Sequence, residues 1–178
     1  MEEIIEKAVE VLRAGGTILY PTDTIWGIGC DASQAEAVEK IYQIKRRDHS
    51  KSMLVLAEKA VHWEPEPGIK RPTTYIIDAA ESGLDLAPNL TAQDGTIGVR
   101  VPRHEFCQKL LHRFGKAIVS TSANFSGEAS PQKYEDISER LKASVDYCVP
   151  PLPAFESGET QGSRIIKITP EGVIIIRG

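Results

Sequence analysis

Gly15-Gly16-Thr17-Ile18-Leu19-Tyr20-Pro21-Thr22-Asp23-Thr24-Ile25-Trp26-Gly27-Ile28-Gly29 passes from a glycine stop to an apolar run and then to a polar loop. Thr17 to Tyr20 reads as a buried strand that Pro21 ends. Tyr20 to Gly29 then sets hydroxyls and two glycines just beyond it. Loops at strand ends are where α/β proteins usually carry ligand groups. The plainer reading is a turn with Asp23 and Thr24 as local caps.

Outward from this stretch the chain alternates. Upstream, Ile4, Ile5, Ala8, Val11 and Leu12 recur at helical spacing, and Gly15-Gly16 supplies the stop. Downstream, Ser33 to Glu36 has capping-box spacing. The helix it opens carries Val38, Ile41, Tyr42 and Ile44 into Lys45-Arg46-Arg47. Met53 to Leu56, Thr73 to Ile77, Thr96 to Val101, Ala117 to Val119 and Tyr147 to Val149 read as strands. Glu64 to Gly68 reads as a loop. Helices are expected after Pro102, through Phe106, Leu110, Leu111 and Phe114, and from Tyr134 to Ala143. Ser120 to Ser130 reads as a polar loop. Arg164 to Ile168 and Val173 to Ile176 form a hairpin around Pro170-Glu171-Gly172. Several connections are too short for a crossover helix, so one α/β domain over residues 1–178 with a twisted mixed sheet is expected, not a doubly wound parallel fold.

The chain has 178 residues, 41% of them apolar and 26% charged, the range of folded domains. A net charge of −4 argues against a protein that chiefly clamps a nucleic-acid backbone. Cys30, Cys107 and Cys148 are odd in number, far apart and outside any zinc spacing, as expected of reduced thiols. The acidic start, Met1-Glu2-Glu3-Ile4, resembles neither a signal peptide nor a membrane span, and a cytoplasmic location is expected.

Three further segments are more polar than folding requires. Lys45 to Lys51 holds four cations in seven residues. It reads either as a solvated helix end favoured by the macrodipole or as a phosphate site. Ser120-Thr121-Ser122-Ala123-Asn124-Phe125-Ser126-Gly127 reads either as a Ser/Thr turn or as a cradle for phosphate or carboxylate. Gly162-Ser163-Arg164, with Arg177, looks like ordinary strand sequence. No Walker or dinucleotide glycine pattern occurs. His49, His62, His104 and His112 have no flagged nucleophilic partner.

Taken together, these segments resemble the YrdC-like family from Gly16 to Arg177. The family's opening is matched by Gly16 to Thr24, its KxR signature by Lys45-Arg46-Arg47, and its SxN signature by Ser122-Ala123-Asn124. Where the family has PGPxT, this chain reads Arg71-Pro72-Thr73-Thr74. Asp48 follows the KxR signature where proline is common, and the connection from Leu56 to Pro72 is short. The resemblance implies helices and a mixed sheet around an open basic cavity. It also implies synthesis of threonylcarbamoyl-AMP and pyrophosphate from L-threonine, bicarbonate or CO2, and ATP with Mg2+. Separate tRNA-modification proteins then use the product. The chain ends at Gly178, where longer relatives are expected to carry a further domain.

By the same resemblance, Lys45, Arg47, Ser122 and Asn124 are the catalytic set. Arg47, Lys51, Thr96, Ser122, Ser130 and Arg177 would bind ATP. Thr22, Arg100, Ser120 and Ser163 would bind threonine, and no residue is assigned to a metal. Two alternatives remain: a relative that binds RNA or a nucleotide without making the adenylate, and a carbamoyl-transfer enzyme with another acceptor.

Overall fold

The computed structural model describes residues 1–51, 53–59, 68–155 and 161–178. In chain order, α1 (Glu2–Arg13) leads into β1 (Ile18–Tyr20) and β2 (Gly27–Gly29), and α2 (Ala35–Lys45) follows. Then come β3 (Leu54–Leu56), β4 (Thr73–Asp78), β5 (Thr96–Arg100), α3 (Glu105–Phe114) and β6 (Ile118–Ser122). The chain closes with α4 (Glu139–Lys142), β7 (Tyr147–Cys148), β8 (Arg164–Thr169) and β9 (Gly172–Arg177).

These strands form one mixed sheet in the order β7-β1-β2-β6-β3-β5-β4-β8-β9. Three pairs are parallel, β1–β7, β3–β5 and β4–β8, and the other five are antiparallel. The expected mixed α/β sheet is therefore present. Strand alternation gives the sheet two unlike faces. Val55, Val99 and Val119 stand opposite one another on the core face. The cores of α1, α2 and α3 belong to the same buried cluster, through Leu12, Ile41, Phe106 and Leu110. On the other face Ser120, Leu54, Gly98, Ile76 and Lys167 lie in one transverse row.

Local structure departs from the sequence reading at four places. Gly27–Gly29 is a strand, not part of a loop, and pairs on both sides with β1 and β6. No capping box forms at Ser33: Gln34 precedes α2 without a side-chain cap. Asp31, the stronger acceptor, instead takes the Ser33 hydroxyl and amide at 2.7 and 2.8 Å. β6 continues through Ser122, so the polar segment after Val119 begins as strand. The helix expected over 134–143 is a 3-10 turn (Tyr134–Asp136) followed by the short α4, with Ser138 capping Leu141. Most of the loop read at Glu64 to Gly68, and His62, lie outside the described residues.

Candidate active site

On the polar face of the sheet lies a cavity of about 330 Å3, at the small end for ligand pockets. The loop before β2 contributes Thr24 and Ile25, and β2 contributes Gly27. From β6 come Ser120, Thr121 and Ser122, and Ser130 lies beyond. Met53, Leu54, Ile76, Gly98 and Ile165 make an apolar floor. The charged lining consists of Arg47, Arg100 and Arg177, with no carboxylate among the described lining residues.

Each arginine arrives by a different device. Arg46 ends α2 in the left-handed conformation at φ 52°, reversing the chain so that Arg47 faces the cavity. The Arg47 Nε donates to the Lys51 carbonyl at 2.9 Å, and burial lowers its pKa. Arg100 sits at the end of β5 and is 3% exposed. Its Nε stands 3.1 Å from Asp23 Oδ1, although neither atom is aligned for a hydrogen bond with any partner. The other Asp23 oxygen accepts the Arg103 amide at 3.2 Å. Arg177 depends on a β-bulge. The β8–β9 register shifts by one residue between Ile165 and Ile166, which sets Arg177 and not Ile176 opposite Ile165. Because Ile165 lines the cavity, the bulge aims Arg177 at it. There its guanidinium donates to the Ser163 carbonyl, at 2.8 Å from Nε.

The hydroxyl groups interlock. Thr74 and Ser163, both buried, share a hydrogen bond of 2.7 Å across β4 and the start of β8. The sequence reading placed Ser163 at the site but missed Thr74. Its signal was present in the Arg71-Pro72-Thr73-Thr74 segment, at the threonine position of the family pattern.

Of the residues singled out from the sequence, Arg47, Arg100, Ser120, Ser122, Ser130, Ser163 and Arg177 line the cavity. Five others do not. The Thr22 hydroxyl is held inside its own loop, donating to the Ile25 carbonyl at 2.7 Å and accepting from the Thr24 amide at 3.1 Å. Thr96 lies at the far end of β5 from Arg100, and its hydroxyl donates to Asp94 at 2.6 Å. Lys51 is exposed beyond the lining. Lys45 is buried behind the cavity wall, not part of it. Its ammonium donates to the carbonyls of Ser122 and Asn124 at 2.6 and 2.8 Å, with both side-chain oxygens within 3.4 Å. Asn124 uses its amide on the Phe125 and Glu128 carbonyls. The KxR and SxN segments thus meet through Lys45, which ties the end of β6 to the end of α2 and so sets Ser122 beside Arg47.

Burial, with the neighbouring Arg47 charge, pushes the Lys45 ammonium down to about 8. The unfolded chain then binds more protons than the folded one between about pH 8 and the ordinary lysine value of about 10.4, so this group's contribution to stability rises with pH across that window. A Lys45→Met variant has no proton to bind there. Urea titrations at several pH values are expected to show the wild type gaining stability relative to Lys45→Met as pH rises through the window. Parallel curves would mean the Lys45 pKa is unshifted.

The polar face of the α/β sheet thus gathers three arginines and a row of hydroxyls around one cavity. The chain belongs to the Sua5/YciO/YrdC family: residues 10–178 match the family described as "Telomere recombination". It is 33% identical over 162 residues to a threonylcarbamoyl-AMP synthase of Stenotrophomonas maltophilia, covering 82% of this chain and 86% of that one. It is also 33% identical over 181 residues to the enzyme of that name from Pseudoalteromonas translucida, covering 92% of each. Among solved structures, P. abyssi Sua5 complexed with L-threonine shares the fold at a TM-score of 0.79 and 24% identity. That match covers 97% of this chain but 53% of the Sua5 chain, so this chain spans about half its length. E. coli YciO also shares the fold, at a TM-score of 0.79 and 24% identity over 99% of this chain and 89% of that one.

Proposed function

We propose that this chain is an L-threonylcarbamoyl-AMP synthase. The observation that carries the reading is the cavity itself: a buried arginine at one strand end, two further arginines on the walls, and hydroxyls between them, in a chain related to synthases of that name. A planar guanidinium matches a carboxylate or phosphate in two hydrogen bonds. Arg100, the most buried of the three, would hold the threonine carboxylate beside Thr24 and Ser120. Arg47, Ser122, Ser130 and Arg177 would hold the triphosphate, and the apolar floor would take the less polar part of the nucleotide.

The chemistry then needs placement more than a nucleophile. The threonine amine adds to CO2 and loses one proton to give a carbamate; starting from bicarbonate, one water is released instead. A carbamate oxygen attacks the α-phosphorus, and the bond to the β-phosphate oxygen breaks, releasing pyrophosphate. Fixed cations at the departing phosphates stabilise the charge that grows there. Holding the reactants in line supplies the rest. No covalent enzyme intermediate is required. Among the described residues no group of three or more His, Cys, Asp or Glu is placed to hold a metal ion. Mg2+ would enter with ATP, as part of the MgATP substrate. No helix of the described residues is long and apolar enough to cross a membrane. The reading places the protein in the cytoplasm, where tRNA-modification proteins would take up the adenylate.

Pyrophosphate release should depend on both L-threonine and bicarbonate, with a product of threonylcarbamoyl-AMP mass. Arg47→Ala and Ser122→Ala are each expected to lower that rate by about 100-fold or more, with the fold intact by circular dichroism. ATP binding without threonine-dependent turnover would favour the nucleotide-binding reading, and turnover with a different co-substrate the carbamoyl-transfer reading.

A further inference from the structure

Lys45 is a buried cation without a counter-charge. It is 1% exposed, and among the described residues no carboxylate pairs with its ammonium. What faces it is neutral or positive. The end of β6 and the loop after it supply the carbonyls of Ser122 and Asn124, the Ser122 hydroxyl and the Asn124 side-chain oxygen. From the end of α2 comes the charge of Arg47, which opposes it. Arg46 lies over the Phe125 ring at 5.3 Å. Arg100, by contrast, has the Asp23 carboxylate at 3.1 Å. Neutral oxygens satisfy the three ammonium donors but leave the charge unbalanced, and a buried charge in that state is costly.

The cavity begins one side chain away. The Ser122 hydroxyl is 3.3 Å from the Lys45 ammonium, and Ser122 is part of the cavity lining. A phosphate oxygen bonded to that hydroxyl would stand within about 6 Å of the ammonium. Inside a protein, attraction between opposite charges at that distance is several times the thermal energy.

We propose that Lys45 is a positioning residue whose charge is balanced by the phosphates of the bound nucleotide, so that binding of MgATP draws a proton onto it. The inference rests on the reading of the cavity as a nucleotide site. Lys45 acts there through Ser122 and Asn124, whereas Arg47 meets the phosphates directly.

The sign of the pH dependence follows. In the empty protein the ammonium loses its proton near pH 8. A phosphate close by moves that loss up, toward the ordinary lysine value of about 10.4. Below pH 8, Lys45 is charged with or without nucleotide, and affinity does not depend on it. Above that, the empty protein must take up a proton as it binds, so affinity falls as pH rises, by up to about 10-fold per pH unit. The described lining residues include no lysine, histidine, cysteine or tyrosine that would titrate in this range.

Calorimetric titration of the full chain with MgATP, without threonine and from about pH 7 to about pH 9.5, tests this. The dissociation constant is expected to hold steady up to about pH 8 and to weaken by about 10-fold or more by about pH 9.5. At about pH 9, two buffers of different ionisation enthalpy should report uptake of roughly half a proton or more per nucleotide. Lys45→Met should bind about 10-fold more weakly at neutral pH and show neither the pH dependence nor the uptake. The buffer comparison uses the wild type alone, so it decides the matter even if Lys45→Met fails to fold. An affinity that stays flat through the alkaline range would overturn the proposal and leave the nucleotide reading intact. Proton uptake that persists in a folded Lys45→Met protein would do the same. A wild type that binds no MgATP at neutral pH would overturn the nucleotide reading, and this proposal with it.

Discussion

Arg100→Ala is expected to remove threonine-dependent pyrophosphate release, by about 1,000-fold in kcat/KM, and to destabilise the fold by about 3–5 kcal/mol. Both effects have one origin. Arg100 and Asp23 are a buried pair, 3% and 7% exposed, with 3.1 Å between Nε and Oδ1. Removing the cation leaves the carboxylate buried with the Arg103 amide as its one hydrogen-bond donor among the described residues. Removing both charges avoids that penalty, so Asp23→Ala/Arg100→Ala should be more stable than Arg100→Ala alone and just as inactive. Urea unfolding separates the stability effect, and threonine titration of the rate separates the binding effect. A folded Arg100→Ala enzyme with wild-type KM for threonine would remove Arg100 from the carboxylate site. A double variant no more stable than the single one would mean that the ion pair is not what the charge removal disturbs.

Gly29→Ala should cost more still, about 4 kcal/mol or above, and lower Tm by roughly 8–16 °C in a domain of this size. The cause is steric. A Cβ at Gly29 would lie 1.9 Å from the Val119 carbonyl oxygen and 3.0 Å from the Tyr20 ring. The oxygen belongs to β6, the strand next to β2, so relief requires moving the backbone. That movement would break the Val119 amide bond to the Cys30 carbonyl, now 2.9 Å. Gly27 provides the control. Its nearest contact to an added Cβ is 3.2 Å, at the Thr121 carbonyl, and the residue borders the cavity. Gly27→Ala should therefore leave a folded protein whose defect is in ligand binding. A Gly29→Ala protein that melts within a degree or two of the wild type would show that β2 can shift relative to β6.

Most elements could be read from the chain because their signals are local. α1 and α3 carry apolar residues at helical spacing and end near Gly15 and Gly115; β4 and β8 are rich in β-branched residues. β2 escaped notice because Gly27 and Gly29 offset the strand propensity of Ile28 between them. Its glycines are there for close approach of a neighbouring backbone, a need that arises only once β6 lies beside it. The break at Ile137-Ser138 escaped for a similar reason, since Ser138 reads as helix interior until its side chain is seen capping Leu141.

The candidate site divides along the same line. Sequence alone determined the mixed α/β class, the family, and a set of residues that gather at the cavity: Arg47, Arg100, Ser120, Ser122, Ser163 and Arg177. The tertiary structure alone decided which of the flagged groups face the cavity. Lys45 and Arg47 are two residues apart, yet the left-handed turn at Arg46 sends one into the wall and the other to the cavity side. Thr96 and Arg100 share a strand face, but only Arg100 is at the end that meets Asp23. Arg177 reaches the cavity because a bulge adds one residue between β8 and β9. In each case the side chain's direction depends on a backbone reversal or a strand register, and these are settled by pairing between segments distant in the chain.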